Sequence, residues 1–219
     1  PKQPSTNNYF HTVKIILTGG KGMLGQTLRR RLSEHDLRVI DLPEADITRL
    51  DSVSGAIADF RPDAVIHCAA MTAVDDCETE QDAAYAVNAV GSANVAISCQ
   101  RAGARLIAIS TDYVFDGTLD RPYHEWDAPN PATVYGKSKW AGEEAIRAHC
   151  PDHAILRTAW LYGPGGPSFV HTMLKLGRQD GEPLKVVDDQ VGNPTSTDAL
   201  AEAIETVLAA SVVGTFHAT

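Results

Sequence analysis

The chain has 219 residues, enough for one large domain or for a domain with a small lobe, and its composition is that of an ordinary globular protein. Its 19 Lys and Arg stand against 28 Asp and Glu, a net charge of -9 with no basic run, which argues against nucleic acid or an anionic membrane as main partner and favours a small molecule. No apolar run approaches a membrane span, and Cys68, Cys77, Cys99 and Cys150 include no C-x-x-C pair, so they read as reduced thiols of a cytoplasmic protein with no metal framework.

Residues 1–12 are polar, lack the apolar segment of a secretory signal and read as a disordered tail. Residues 13–17 form a short apolar run that predicts a strand. Thr18-Gly19-Gly20-Lys21-Gly22-Met23-Leu24-Gly25 follows at once, and then a helical pattern with Leu24, Leu28 and Leu32 on one face. Gly19, Gly22 and Gly25 make G-x-x-G-x-x-G, a variant of the dinucleotide fingerprint, in which glycines allow a tight turn and close approach of backbone to a pyrophosphate. The helix N-terminus behind them offers unpaired N–H groups to the same phosphates. A second strand over 38–40 ends in Asp41, where an acidic side chain either bonds an adenosine ribose or simply ends the strand in a turn.

Asp46-Ile47-Thr48 leads into a helical stripe of Leu50, Val53, Ile57 and Phe60, with Thr48 and Asp51 at capping-box spacing. Residues 64–68 predict a third strand opening into Ala69-Ala70-Met71-Thr72, small residues that let a flat ligand lie on the backbone or serve close packing. An Ala-rich helix over about 83–101 stops at Gly103, and 105–109 has the continuous apolar character of a central parallel strand. Strand and helix thus alternate, which predicts an α/β fold with a doubly wound parallel sheet and a ligand crevice beyond the carboxyl ends of the strands. Segments 18–25, 69–72 and 110–112 all fall at those ends. Gly163-Pro164-Gly165-Gly166-Pro167 is a concentrated breaker, dividing a core over 13–162 from a lobe over 163–219.

Tyr135-Gly136-Lys137-Ser138-Lys139 places a phenol and an ammonium four residues apart on one helix face. A free phenol titrates at about pH 10. One ammonium about 4 Å away supplies roughly 4 kcal/mol at an effective dielectric of about 20, enough to lower the phenol by about three units. In isolation such a pair is better read as snorkelling on a solvated face. Convergence with Ser110-Thr111-Asp112 at the mouth of a parallel sheet favours proton transfer.

Several longer strings carry a resemblance: Ala69-Ala70-Met71-Thr72-Ala73-Val74-Asp75, Ser110-Thr111-Asp112-Tyr113-Val114-Phe115-Asp116-Gly117, Arg157-Thr158-Ala159-Trp160-Leu161-Tyr162-Gly163 and Asp188-Asp189-Gln190-Val191-Gly192-Asn193-Pro194-Thr195. With the glycine turn and the Tyr135/Lys139 pair, they make a chain that resembles the extended short-chain dehydrogenases/reductases and, within them, the dTDP-4-dehydrorhamnose reductase family. The resemblance implies a Rossmann core with a partial substrate-binding lobe interleaved with it. The implied reaction is reduction of the C4 ketone of a dTDP-linked 4-keto-6-deoxysugar by NADPH or NADH, with Thr111, Tyr135 and Lys139 catalytic. Implied cofactor contacts are Gly19, Gly22, Met23, Leu24, Gly25, Asp41, Asp46, Ile47, Ala69, Ala70, Thr72, Tyr135 and Lys139. Implied sugar-nucleotide contacts are Val74, Thr111, Asp112, Tyr135 and Trp160, although core packing explains Trp160 nearly as well. Asp41 would favour NADH, while the family also accepts NADPH, for which Lys21 and Arg38 are nearby phosphate partners. Some relatives are associated with magnesium at a subunit contact; no carboxylate cluster in the sequence identifies one, and a homodimer is compatible with the family. The family continues past Gly214-Thr215-Phe216-His217-Ala218-Thr219, a predicted strand, with a helical portion that completes the substrate lobe. Dihydrostreptose formation, a non-catalytic NADP-binding regulatory subunit like the β subunit of methionine adenosyltransferase, and a sugar-nucleotide epimerase are the competing readings.

Overall fold

Apolar side chains alternate between two faces along each central strand, and each face is covered by its own helices. Ile16, Val65, Leu106 and Ile155 point to one side, against Val53 and Ile57 of one helix and Val95 and Cys99 of another. Ile15, Leu17, Ile66, Ile107 and Leu156 point to the other, against Leu24, Leu28 and Leu32 and against Leu200 and Ile204. A strand buried on both faces needs apolar residues at every position, which is why these strands read as continuous runs.

The computed structural model describes residues 12–178, 186 and 188–219. The tail expected over 1–12 lies outside the described residues except for Thr12. A six-stranded sheet runs in the order β2-β1-β3-β4-β5-β8, with β1 Lys14–Thr18, β2 Asp36–Ile40, β3 Ala64–His67, β4 Arg105–Thr111, β5 His153–Thr158 and β8 Gly214–His217. All neighbours pair parallel. Order reverses beside β1, so the loops after β1 and β3 part there and leave a crevice at the carboxyl edge. A short parallel pair, β6 Leu161–Tyr162 with β7 Thr195–Ser196, brings the two distant strings 157–163 and 188–195 together.

The helices are α1 Met23–Arg31, α2 Leu50–Phe60, α3 Val74–Thr79, α4 Gln81–Tyr85, α5 Ser92–Ala102, α6 Val134–His149, α7 Phe169–Leu176 and α8 Thr197–Ala210. Among the described residues no helix is long and apolar enough to cross a membrane. Two expectations are corrected. The capping box at α2 does not form: Arg49 is the N-cap, and Thr48 instead gives its N–H and hydroxyl to Asp46, at 2.9 and 2.7 Å. The Ala-rich helix is not α throughout; α4 and α5 are joined by a π turn over Ala86–Gly91. Within that turn Asn88 points inward and binds outside its own helix, which an unbroken α pattern does not reveal.

Helix α6 lies on the π turn through glycine. A Cβ on Gly142 would meet the carbonyl oxygen of Asn88 at 2.3 Å. Because the obstacle is backbone, Gly142→Ala is expected to cost about 1–3 kcal/mol, read by chemical denaturation. A variant as stable as the parent would show that α6 and the π turn are not packed this closely.

Candidate active site

The carboxyl ends of β1 to β5 open on a cleft of about 920 Å³. Its floor begins at the turn after β1. Gly19 adopts φ +72, and a Cβ there would meet the backbone nitrogen of Ala69 at 2.5 Å, so only glycine lets β1 and β3 exit this close together. Gly25 is equally confined, its Cβ position lying 2.2 Å from the Gly19 oxygen. Gly22 is the N-cap of α1 and offers no capping side chain, and the first turn holds no acidic residue, leaving its N–H groups open toward an anion.

Asp41 closes this turn from β2. Its carboxylate accepts from the backbone N–H of Gly19 at 2.8 Å and of Lys21 at 2.9 Å, so the two readings of Asp41 meet in one side chain that lines the cleft while tethering the glycine turn. Lys21 also lines the cleft and donates to the Leu42 carbonyl at 2.5 Å. Arg38 does not line it: the guanidinium pairs with Asp59 at 2.5 Å and lies over the Phe60 ring. That removes Arg38 as a phosphate partner in this arrangement.

On the next wall, hydrogen bonds from Thr48 hold the Asp46 carboxyl below its ordinary range, and Asn94 binds the Ile47 carbonyl at 2.9 Å. After β3, Thr18 links to His67 at 2.7 Å and to the Ala69 N–H at 3.3 Å. Burial drives the imidazole down to about 3, so His67 is neutral at pH 7. Burial also raises the Cys68 thiol, on the same wall, to about 12. Asn88 straps the following segment, accepting from Met71 N–H at 2.9 Å and donating to its carbonyl and to Ser138 Oγ, both at 3.0 Å. Nothing in the sequence pattern singled out Asn88; a polar amide in an Ala-rich helix was the available signal, and π turns gather at functional sites.

Thr133 accepts the Gly136 N–H at 3.0 Å and so starts α6, placing Tyr135 in its first turn. Tyr135 is 9% exposed and meets Tyr113 edge-on, with centroids 5.4 Å apart. Its phenol is pushed up to about 12, mainly by burial, with the Thr111 hydroxyl working in the opposite direction. The i,i+4 spacing had predicted a lowered phenol. Desolvation overrides that expectation, and the Lys139 ammonium is turned to the Ile109 carbonyl at 2.8 Å. Lys139 is itself lowered to about 8 by burial, against the pull of Glu143 and Cys68. Thr111 donates to Asp112 at 3.0 Å, and burial raises the Asp112 carboxyl.

Trp160 is no core residue. It is 43% exposed at the rim of the cleft, holds φ +43 despite its side chain, and is backed by Gly192, whose Cβ position is 3.1 Å from the indole. An aromatic residue in the left-handed region is strained and persists only where its surroundings hold it. Met23, Leu24, Ala70, Thr72 and Val74 complete the lining, so apart from Arg38 every candidate cofactor and substrate residue named from the sequence borders one cleft. The Gly163–Pro167 breaker folds over α1, Gln26 donating to the Gly165 carbonyl at 2.9 Å. Among the described residues no group of three or more His, Cys, Asp or Glu side chains converges as a metal site would require.

Residues 13–219 match the family model described as the RmlD substrate binding domain. The chain is 46% identical over 193 residues to the spore coat polysaccharide biosynthesis protein SpsK of Bacillus subtilis, covering 87% of this chain and 68% of that one. It is 45% identical over 212 residues to a dTDP-4-dehydrorhamnose reductase of Streptomyces griseus, covering 93% and 69%. The crystal structure of dTDP-4-dehydrorhamnose reductase from Bacillus anthracis in complex with NADP superposes with a TM-score of 0.91 at 42% identity, covering 94% of this chain and 74% of that one.

A titration of the protein labelled with 13C at lysine Cε is expected to place Lys139 at about 8, far from the ordinary lysine value of about 10.4. Lys139 is then a cation at neutral pH and loses its charge as pH rises through 8. A midpoint above 10 would mean that Lys139 is solvated and the cleft open around it.

Proposed function

This chain belongs to the RmlD substrate binding domain family, and on that premise we propose that it works as an NAD(P)H-dependent reductase of the C4 ketone of a dTDP-linked 4-keto-6-deoxyhexose. One observation carries the reading: the buried Tyr135 phenol, the Thr111 hydroxyl and the Lys139 ammonium line the same cleft as a glycine turn that has no room for a Cβ at Gly19 or Gly25. Cytoplasmic location and a place in dTDP-sugar biosynthesis go with the proposal.

The cleft fits a dinucleotide. Its volume lies near the top of the range of about 300–1,000 Å³ for ligand pockets, and Gly19 and Gly25 form a cradle that any Cβ would fill. Gly22, Met23 and Leu24 at the start of α1 would take the pyrophosphate, Asp41 the adenosine ribose, Asp46 and Ile47 the adenine side, and Ala69, Ala70 and Thr72 the face of the chain leading to the nicotinamide. When bound, the reduced nicotinamide supplies a hydride to the ketone carbon.

Proton supply falls to the chain's own residues. Tyr135 is raised to about 12 and so enters the reaction protonated, as a donor to a forming alkoxide must; the alkoxide is the stronger base and draws the proton across. Thr111 donates to the same oxygen once its hydroxyl leaves Asp112. Lys139, cationic at neutral pH, would bind the nicotinamide ribose and favour the phenolate that Tyr135 leaves behind. The position of Tyr135 in the first turn of α6 adds the helix dipole in the same sense. Asp112, Val74 and Trp160 would bound the sugar nucleotide.

The test is loss of NADPH or NADH absorbance on adding enzymatically made dTDP-4-keto-6-deoxy sugar. Bound cofactor with no oxidation at any sugar level would turn the reading toward a regulatory subunit, and cofactor that survives dialysis without net turnover toward an epimerase. Tyr135→Phe is expected to lower turnover by about 10²-fold or more with cofactor binding retained; full turnover would remove Tyr135 from the proton transfer. For Asp41→Ala, both tethers of the glycine turn are lost. We expect weaker binding of both cofactors by about tenfold or more, with NADH losing more than NADPH. Equal affinities before and after, read by fluorescence titration, would show that Asp41 neither holds the turn nor meets the ribose.

A further inference from the structure

Tyr135, Lys139 and Glu143 follow one another at intervals of four along a single face of α6, and all three are buried. Opposite them run three consecutive residues of β4. The Ile109 carbonyl accepts from Lys139 at 2.8 Å, Ser110 Oγ donates to Glu143 at 2.5 Å, and Thr111 borders the cleft beside Tyr135. Glu143 also receives Arg157 through two nitrogens, at 2.9 and 2.7 Å, and Arg147 at 2.7 Å. Four donors from α6, β4 and β5 therefore converge on one carboxylate.

Between Lys139 and Glu143 lies a cavity of about 10 Å³, lined by His67, Ser92, Ser110 and those two side chains. That is room for one water, with polar groups around it to hold one. We propose that Glu143 is a positioning residue for Lys139: from behind the cleft it fixes α6 on β4 and holds Lys139 as a cation facing the cleft. The groups around Lys139 leave this task to Glu143. From β3 comes His67 and from the residue after it Cys68, both neutral at pH 7; from α6 comes Tyr135, also neutral; Glu143 is the carboxylate that shares the small cavity with Lys139, and Arg157 from β5 and Arg147 from α6 stand beyond that carboxylate, bound to it. Burial would raise the Glu143 carboxyl, but Arg157, Ser110 and Arg147 outweigh it and keep Glu143 ionised. Asp112 acts on Tyr135 and Asp41 on Cys68.

An ion pair that merely locks the sheet would change stability when altered and leave the titration of Lys139 where it was. Glu143→Gln keeps the size and the acceptor oxygen and removes the charge. In the folded variant the Lys139 midpoint, read by 13C lysine spectra, is expected to fall by about one pH unit, and the alkaline limb of kcat to move down with it. Glu143→Asp, which keeps the charge, should restore both. An unmoved Lys139 midpoint in folded Glu143→Gln overturns the proposal. Should that variant fail to fold, Ser110→Ala decides: all charges remain and only the tie between β4 and Glu143 is cut. A fall in kcat of about tenfold at constant KM supports the positioning role, and an unchanged kcat overturns it. The kinetic readouts rest on the reductase reading. Parent protein without turnover would defeat that reading, while the Lys139 titration, made without substrate or cofactor, would still decide the role of Glu143.

Discussion

The buried pair of Glu143 and Arg157 is the interaction on which the geometry of the cleft hangs. Taking two charges out of water is costly, and such a pair is a poor source of net stability compared with apolar packing. What it provides is registration. The carboxylate is saturated by Ser110, Arg157 and Arg147, and Arg157 is held over the rings of Phe115 and Trp140, so neither partner has an alternative site of similar energy. Helix α6 is thus set along β4 at one position. A slip by one residue would take Lys139 off the Ile109 carbonyl and turn Tyr135 away from Thr111.

A second constraint is the approach of β1 to β3. Gly19 passes so near Ala69 that the backbone itself makes the floor of the cleft, and Thr18, His67 and Ser92 form a hydrogen-bonded column beneath it. Small residues after β3 are therefore needed for packing and for ligand access at once. Those two uses, which look like alternatives in the sequence, are one geometric fact. The same holds for Asp41, whose carboxylate caps the turn that it would help to fill.

The glycine turn, the four strands read from apolar runs and the Tyr135/Lys139 face were legible because they depend on local spacing. Gly19, Gly22 and Gly25 lie within one turn, and Tyr135 and Lys139 within one helical repeat. What failed depended on side-chain partners that spacing along one element does not name, whether two residues away or many. Thr48 prefers Asp46 to a capping role, Arg38 prefers Asp59 and Phe60 to the cleft, and Asn88 declares itself only when Met71 and Ser138 are beside it. The acidity of Tyr135 is not set by spacing alone: a Coulomb attraction between two residues leaves out the water that both lose, and here that loss is larger. Trp160 needed Gly192 from the far string before its exposed, left-handed setting had a cause.

Cys68 gives the cleft a pharmacological character. Thiols react as thiolates, and with the Cys68 thiol raised to about 12, roughly one molecule in 10⁵ carries the reactive form at neutral pH. An electrophilic inhibitor delivered to this cleft would find a sulfur on the wall and almost no nucleophile. Compounds aimed here would draw on shape and on the open N–H groups of α1 instead.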